Sequence, residues 1–183
     1  MPNVVGLAGS LRKRSYNRAL LQAATELAPA GLEIDVATID GIPLYDGDVE
    51  ERSGVPQVVE RLKDRIARAD GLLIVTPEYN NSIPGVLKNA LDWLTRPPKD
   101  IPRVFGDRPV GLVGATPGRG GTRFAQSAWL PIFRTLGVRP FFGKVLYVDG
   151  ASKLFDDDLR LIDEGTRQRL REYLAGLAAF TSR

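Results

Sequence analysis

A continuous apolar run at residues 71–75, Gly-Leu-Leu-Ile-Val, constrains the fold of this chain more than any other feature. A strand that is exposed on one face alternates apolar and polar side chains, whereas a strand buried on both faces of a parallel sheet is apolar throughout. Residues 4–8 and 109–114 have the same character, and a polar or glycine-rich stretch and then a helical pattern follow each of the three runs. The sequence therefore predicts an α/β protein with helices on both faces of a parallel sheet.

The remaining segments continue this alternation of strands and helices. Strands are predicted at residues 4–8, 32–39, 71–75 and 109–114, with a last strand supplied by residues 138–142 and 144–148. Helices are predicted at residues 15–27, 55–68, 86–94, 123–136 and 157–180, and Pro131 should kink the fourth of these or mark a new start. Residues 40–48 and 95–100 are expected to be loop. Right-handed crossovers favour a five-stranded parallel sheet in the order 2-1-3-4-5, which is a flavodoxin-like three-layer sandwich formed by one domain, residues 1–183.

The absence of two residue types limits the chemistry that the side chains can perform. The chain contains no cysteine and no histidine. Disulfides, thiolate nucleophiles, imidazole bases and zinc sites built on His and Cys are therefore excluded. Any catalyst must rely on carboxylates, hydroxyls, backbone amides or a bound cofactor.

Composition and charge indicate a globular protein that neither binds nucleic acid nor spans a membrane. The 183 residues are 43% hydrophobic and 26% charged, and no apolar stretch approaches the roughly 20 residues of a membrane span. The start of the sequence lacks the features of a signal peptide, which predicts a cytoplasmic protein. Arginines are scattered, so the net charge of +3 indicates a solvated surface. Four acidic residues lack the spacing of a calcium loop and are interpreted as solvated: Asp46, Asp48, Glu50 and Glu51.

The first of three unusual strand-to-helix connections, residues 9–17, has the composition of an anion site. It combines hydroxyl side chains and basic residues with the start of a helix, where free N–H groups and the helix dipole favour a phosphate. It has neither the third glycine of a dinucleotide-binding loop nor the Gly-Lys-Ser/Thr of a Walker A loop. An ordinary helix cap at Ser15, preceded by a solvated basic loop, is the alternative interpretation.

The second connection, residues 77–85, follows the central apolar run. Pro77 and Pro84 stiffen it, Asn80 and Ser82 supply polar groups, and Tyr79 adds a ring. Such a loop suits a flat ligand with polar edges, and we hypothesise that the ligand is a flavin. The third connection, residues 115–122, is rich in glycine, which either brings backbone N–H groups close to a flat ligand or merely turns the chain.

In the order 2-1-3-4-5 the three connections meet at the carboxyl edge of neighbouring strands, where open α/β sheets bind their ligands. We call them the first loop (residues 9–17), the second loop (residues 77–85) and the third loop (residues 115–122). Their convergence supports a mononucleotide cofactor more strongly than any one loop does. The expected arrangement is a phosphate at the first loop and a ring system that the second and third loops cover on its two edges or on one face.

Two of these loops carry a family resemblance. The first loop, Gly-Ser-Leu-Arg-Lys-Arg-Ser-Tyr-Asn, and residues 77–93, Pro-Glu-Tyr-Asn-Asn-Ser-Ile-Pro-Gly-Val-Leu-Lys-Asn-Ala-Leu-Asp-Trp, resemble the phosphate and ring loops of the NADPH-dependent FMN reductase family. The resemblance extends from residue 4 to about residue 148. It implies a flavodoxin-like fold, FMN as cofactor, NADPH or NADH as electron donor, a small-molecule acceptor such as a quinone, chromate or an azo compound, and a homodimer or homotetramer.

The resemblance also implies roles for individual residues. The phosphate would be held by Ser10, Arg12, Ser15, Tyr16 and Asn17. The isoalloxazine would be lined by Pro77, Glu78, Tyr79 and Asn80, with Ser82 close by. The third loop departs from the family pattern, since many members have serine at the position of Ala115; its expected ring-edge contacts are Ala115, Gly118, Gly120 and Gly121.

The resulting hypothesis is an NAD(P)H oxidoreductase that passes electrons through FMN to an acceptor, without a protein base. Backbone N–H groups of residues 118–121 are expected to stabilise the negative charge of reduced flavin. Glu78 is interpreted as a loop hydrogen-bond partner in preference to a catalytic acid, and Tyr79 either stacks on the ligand or packs under the loop. Two alternatives are a flavodoxin-like electron carrier or binding module without NAD(P)H turnover, and a fold relative that has lost flavin.

Overall fold

A parallel sheet forms the centre of the structure, a computed structural model that describes residues 1–182. Its strands are β1 (Asn3–Ala8), β2 (Glu33–Ala37), β3 (Gly71–Val75), β4 (Pro109–Ala115), β5 (Arg139–Pro140) and β6 (Leu146–Val148). The strand order is β2-β1-β3-β4-β5, every pairing is parallel, and β6 also pairs with β4. The predicted order 2-1-3-4-5 is confirmed. β2 lies at the edge of the sheet, in agreement with its alternating sequence.

Helices cover both faces of the sheet, which confirms the three-layer sandwich. They are α1 (Tyr16–Leu27), α2 (Gly47–Ser53), α3 (Gln57–Arg68), α4 (Gly85–Leu94), α5 (Ile101–Val104), α6 (Arg123–Leu136) and α7 (Glu164–Thr181). One apolar core joins α1 and α7 to the sheet, and a second core on the opposite face joins α3, α4 and α6 to it. Within residues 1–182, no helix combines the length and apolar character that crossing a bilayer requires. α6 runs without interruption through Pro131 and does not restart there; it ends at Gly137, whose φ of 66° is left-handed.

The hydrogen-bond ladder of the sheet continues for one residue beyond the strands. The N–H of Gly9 donates to the carbonyl of Val75 (2.9 Å), and the N–H of Thr76 donates to the carbonyl of Val113 (2.8 Å). The N–H of Thr116 likewise donates to Val148 (2.9 Å). The three loops therefore leave the sheet side by side at its carboxyl edge.

The fifth strand is divided, because β5 pairs with the start of β4 and β6 with its end. Between them, the buried hydroxyl of Tyr173 from α7 occupies the position of the missing rung. It accepts a hydrogen bond from the N–H of Leu112 (2.7 Å) and donates to the carbonyl of Leu112 (3.2 Å). Gly111 leaves room for this contact, since a Cβ there would lie 3.1 Å from the Tyr173 hydroxyl and 2.9 Å from Leu177. The side chain thus replaces a strand neighbour.

The predicted start of the terminal helix at residue 157 is wrong. α7 begins at Glu164, after Asp163, whose carboxylate accepts the N–H of Thr166 (2.7 Å) as a helix cap. Residues 149–163 instead form a connection that is closed by a bridge between Phe155 and Leu161. Leu159 and Ile162 suggested a helical stripe because their spacing resembles one turn, but they belong to this connection.

Two short helices, α2 and α5, lie where the sequence predicted loop or made no prediction. Asp46 caps α2 by accepting the N–H of Asp48 (2.9 Å), and Glu50 forms an ion pair with Arg96 (2.7 Å). Two of the four acidic residues interpreted as solvated therefore have partners in the protein. Among residues 1–182 no group of three or more Asp or Glu side chains has the arrangement of a metal site.

The role of Tyr173 leads to a stability prediction. Replacing Tyr173 with Phe leaves the part-buried N–H and carbonyl of Leu112 without their partner, so we expect the free energy of unfolding to fall by about 1–3 kcal/mol. Tyr147→Phe is the matched control, because no residue of the described chain pairs with its hydroxyl; its effect should stay within about 0.5 kcal/mol. Urea unfolding of both variants measures the difference.

The difference in stability between wild type and Tyr173→Phe should also depend on pH. Burial raises the pKa of Tyr173 far above its ordinary range. Above about pH 10 the unfolded chain loses the tyrosine proton while the folded chain keeps it, so this residue makes stability fall as pH rises. The gap between wild type and Tyr173→Phe should therefore narrow from about pH 9 to pH 11. A constant gap would contradict the burial of the Tyr173 hydroxyl.

Candidate functional site

A cleft of about 230 Å³ lies at the carboxyl edge of the sheet, between the three loops. It opens between β1 and β3, where the chain direction of the crossovers reverses and where ligands bind in this architecture. Its walls come from all three loops: Ser10, Arg12, Ser15, Tyr16, Asn17, Pro77, Glu78, Tyr79, Ala115, Thr116 and Pro117. Nine of these eleven residues were predicted from the sequence, and Thr116 and Pro117 were not.

Unused hydrogen-bond donors are concentrated in the first loop. The buried Ser15 Oγ accepts the N–H groups of Asn17 (3.2 Å) and Arg18 (3.4 Å), which makes Ser15 the cap of α1. The buried Ser10 Oγ accepts the N–H of Arg12 (3.3 Å). Neither hydroxyl hydrogen has an acceptor in residues 1–182, and the exposed guanidinium of Arg12 is likewise unpaired there. The cap and the anion site are therefore compatible, since capping uses only the lone pairs of Ser15.

Asn17 connects the first loop to the third. Its Nδ2 donates to the carbonyl of Ala115 (2.8 Å), and its Oδ1 accepts the N–H of the same residue (2.9 Å). Both residues are buried. One Nδ2 hydrogen and one Oδ1 lone pair remain for a ligand, so half of the hydrogen-bonding capacity of Asn17 is used to hold the two loops together.

The connection between β6 and α7 supports both of these loops from outside the cleft. The ring of Phe155 packs on Tyr16 with 5.4 Å between centroids, and Arg14 Nη2 donates to the carbonyl of Asp157 (2.7 Å). The N–H of Ala151 donates to the carbonyl of Thr116 (3.0 Å). Nothing in the sequence pattern indicated this support, because residues 149–163 were interpreted partly as helix.

A tight turn shapes the second loop. The N–H of Tyr79 donates to the carbonyl of Ser82 (3.1 Å), and the N–H of Ser82 donates back to Tyr79 (3.0 Å). Asn80 and Asn81 between them have left-handed φ angles of 49° and 59°, the geometry of a type I′ turn, which asparagine tolerates better than most residues. Tyr79 is 46% exposed and lines the cleft, whereas Asn80 and Ser82 do not reach its wall.

The side chain of Glu78 connects the second loop to α6. Its Oε2 accepts the N–H groups of Phe124 (2.8 Å) and Ala125 (3.0 Å) in the first turn of that helix. Glu78 was interpreted from the sequence as a loop hydrogen-bond partner, and the partners of its carboxylate are instead two N–H groups at the start of α6. The cap residue Thr122 makes no side-chain capping bond, since its Oγ1 accepts Gln126 Nε2 instead (3.1 Å).

The glycines of the third loop do not line the cleft, and for one of them the structure shows a packing role. Gly118, Gly120 and Gly121 are absent from the cleft wall. Gly121 is buried with φ 65°, and a Cβ there would lie 2.6 Å from Tyr147, so packing alone requires glycine. The expected contacts of these three residues with a ring edge stay predictions. Thr116 and Pro117 take their place in the cleft; their position directly after β4 was the available signal.

Two other glycines allow the loops to approach one another. A Cβ on Gly9 would lie 2.4 Å from Leu87 and 3.0 Å from Pro77. A Cβ on Gly114 would lie 2.1 Å from the carbonyl oxygen of Thr76. The close contact between neighbouring loops therefore depends on the missing side chains, because any other residue would push the loops apart.

These features fit a flavin mononucleotide. Two free hydroxyl donors, an unpaired guanidinium and the start of α1 offer the hydrogen bonds and positive charge that a dianionic phosphate requires. Pro77, Pro117 and Tyr79 add ring surfaces to the lining of the same cleft. The cleft contains no His or Cys, so the protein contributes binding, orientation and electrostatics.

Comparisons with known proteins agree with this geometry. Residues 2–153 match the family described as NADPH-dependent FMN reductase. The chain is 42% identical over 180 residues to an NAD(P)H-dependent FMN reductase of Pseudomonas aeruginosa, covering 98% of this chain and 95% of that protein. It is 39% identical over 174 residues to a 2-hydroxy-1,4-benzoquinone reductase of a Burkholderia species, covering 95% and 93% of the two chains.

A solved structure leads to the same result. The flavoenzyme NAD(P)H:(acceptor) oxidoreductase FerB from Paracoccus denitrificans superposes with a TM-score of 0.87 at 31% identity, covering 100% of this chain and 98% of that one. The likeness therefore includes sequence as well as fold. On the family match, the identity to these relatives and the loops that converge on the cleft, this chain belongs to the NADPH-dependent FMN reductase family.

Proposed function

We propose that the protein is an FMN-dependent NAD(P)H oxidoreductase that reduces quinones or similar small acceptors. The observation that carries this proposal is the convergence of the three loops on one cleft, whose lining includes the hydroxyls of Ser10 and Ser15, the guanidinium of Arg12 and the rings of Pro77 and Tyr79. Bound FMN supplies the redox chemistry, taking a hydride from NAD(P)H and giving electrons to the acceptor. The names of the relatives, FMN reductase and benzoquinone reductase, support the same class of donor and acceptor.

The residues of the cleft have distinct tasks in this proposal. Ser10, Ser15 and Arg12 hold the phosphate, and the backbone of the second loop supports the ring. Asn17 and Glu78 act on the loops that carry these groups, through Ala115 and α6. Exclusion of water falls to Pro77 and Tyr79, and no side chain is required to move a proton.

Turnover of reduced nicotinamide separates this enzyme from an electron carrier. We expect the FMN-loaded protein to oxidise NADPH or NADH, and to do so faster when menadione is added, because the quinone reoxidises the flavin. The measurement is anaerobic NAD(P)H absorbance with and without menadione. A flavin-loaded protein that consumes neither nucleotide with any quinone would be a carrier.

The phosphate site predicts a selective effect of Arg12. Replacing Arg12 with Ala removes a charge-assisted hydrogen bond worth about 1.5–3 kcal/mol, which weakens FMN binding roughly tenfold to a hundredfold. Lys13→Ala is the matched control: Lys13 is exposed, carries the same charge in the same loop and does not line the cleft. Titration of the two apoproteins with FMN measures both affinities. Equal losses in the two variants would mean that only general charge matters.

The proposed enzyme is a homodimer or homotetramer and acts in the cytoplasm. The self-association is supported by large apolar side chains that are exposed near the divided strand: Leu130 at 47%, Phe142 at 67% and Val145 at 65%. Exposed clusters of this kind mark interaction surfaces. Light scattering should give a mass of at least twice 20.0 kDa; a monomer at all concentrations would refute the oligomer. No interaction with nucleic acid is proposed.

A further inference from the structure

Glu78 has an arrangement that cofactor binding alone does not explain. Glu78 contributes to the cleft wall, and its carboxylate accepts two N–H groups of α6, from Phe124 at 2.8 Å and Ala125 at 3.0 Å. These amides belong to the first turn of a 14-residue helix and have no partner within it. The helix thus receives its cap from a residue 46 positions earlier in the chain.

Two consequences follow from this geometry. First, the carboxylate connects the second loop to α6, which begins where the third loop ends. It therefore fixes the positions of these two loops relative to each other. Second, it places a negative charge beside the positive end of a helix dipole at the edge of the cleft. Without that charge, the helix end would favour added negative charge on a bound ligand.

We propose that Glu78 is a positioning residue that also lowers the reduction potential of the flavin. This inference rests on the proposed function, since it requires FMN in the cleft. Reduction adds negative charge to the flavin, and charges near its ring tune its electronics. The carboxylate of Glu78, a residue of the cleft wall, opposes that added charge and partly cancels the helix dipole that would stabilise it. The bound flavin is therefore a stronger reductant toward its acceptor than it would be beside a neutral side chain.

The conservative substitution separates the two roles. In Glu78→Gln the side-chain carbonyl still accepts both N–H groups, whereas the charge is lost. We expect this variant to bind oxidised FMN within about threefold of wild type and reduced FMN about tenfold more tightly, the order of magnitude for one charge in a partly exposed site. For a two-electron couple, the tenfold ratio is a rise of about 30 mV in the midpoint potential.

The experiment is an anaerobic reductive titration of the FMN-loaded protein against a reference dye, together with FMN titration of the apoprotein. Glu26→Gln serves as the control, because Glu26 is exposed near the far end of α1 and does not line the cleft. Its potential should equal that of wild type. Glu78→Asp keeps the charge on a shorter side chain, so its potential should stay near wild type while its FMN affinity falls.

The outcomes distinguish this inference from the proposed function. An unchanged potential in Glu78→Gln, or a rise that Glu26→Gln shares, would overturn the electrostatic role while leaving the enzyme assignment intact. A wild-type protein that takes up no FMN would overturn both. If Glu78→Gln does not retain flavin, thermal unfolding of the apoproteins still tests the hydrogen bonds between residue 78 and α6. Glu78→Ala should have a lower melting temperature than Glu78→Gln, and equal melting temperatures would refute the positioning role.

Discussion

The parallel pairing of β1, β3 and β4 is the constraint on which the rest of the structure depends. Parallel strands end at the same edge, so the loops that follow them must leave the sheet together. The ladder continues past the strands through the N–H groups of Gly9 and Thr76, which leaves little freedom in where each loop begins. The cleft is thus a consequence of sheet topology before any cofactor is considered.

Ties between the loops then determine the shape of that cleft. The carboxamide of Asn17 holds Ala115, the carboxylate of Glu78 holds the start of α6, and Gly114 permits contact with Thr76. From the sequence, Asn17 and Glu78 were expected to be ligand contacts, and Gly114 was expected to end a buried strand. A site organised before the cofactor arrives loses less conformational entropy on binding, and it positions the few polar groups that the chemistry needs. This matters in a chain without imidazole or thiol, in which the cofactor performs the redox step.

The sequence predicted the fold better than it predicted the function of single side chains. Buried strands such as β3 can be recognised from the sequence because a strand covered on both faces must be apolar. The helix cap at Ser15 can likewise be recognised from the residues next to it. By contrast, the start of α7 was misplaced because the spacing of Leu159 and Ile162 resembles a helical stripe, although both residues lie before the cap at Asp163. The divided fifth strand was likewise not recognised, since the hydroxyl that fills its gap belongs to Tyr173, 61 residues from Leu112.

By itself, the sequence determined the strand order, the three candidate loops and the restriction to cofactor chemistry, because apolar patterns, turn residues and absent residue types are local or compositional properties. Only the tertiary structure decided that Asn17 and Glu78 hold loops in place, and that Thr116 and Pro117 line the cleft while Gly118 and Gly121 do not. The physical reason is that a hydrogen bond between residues 46 or 98 positions apart depends on where the sheet places both partners. The sequence around a polar side chain is the same whether its partner is a phosphate or a distant backbone amide, so the sequence alone does not identify that partner.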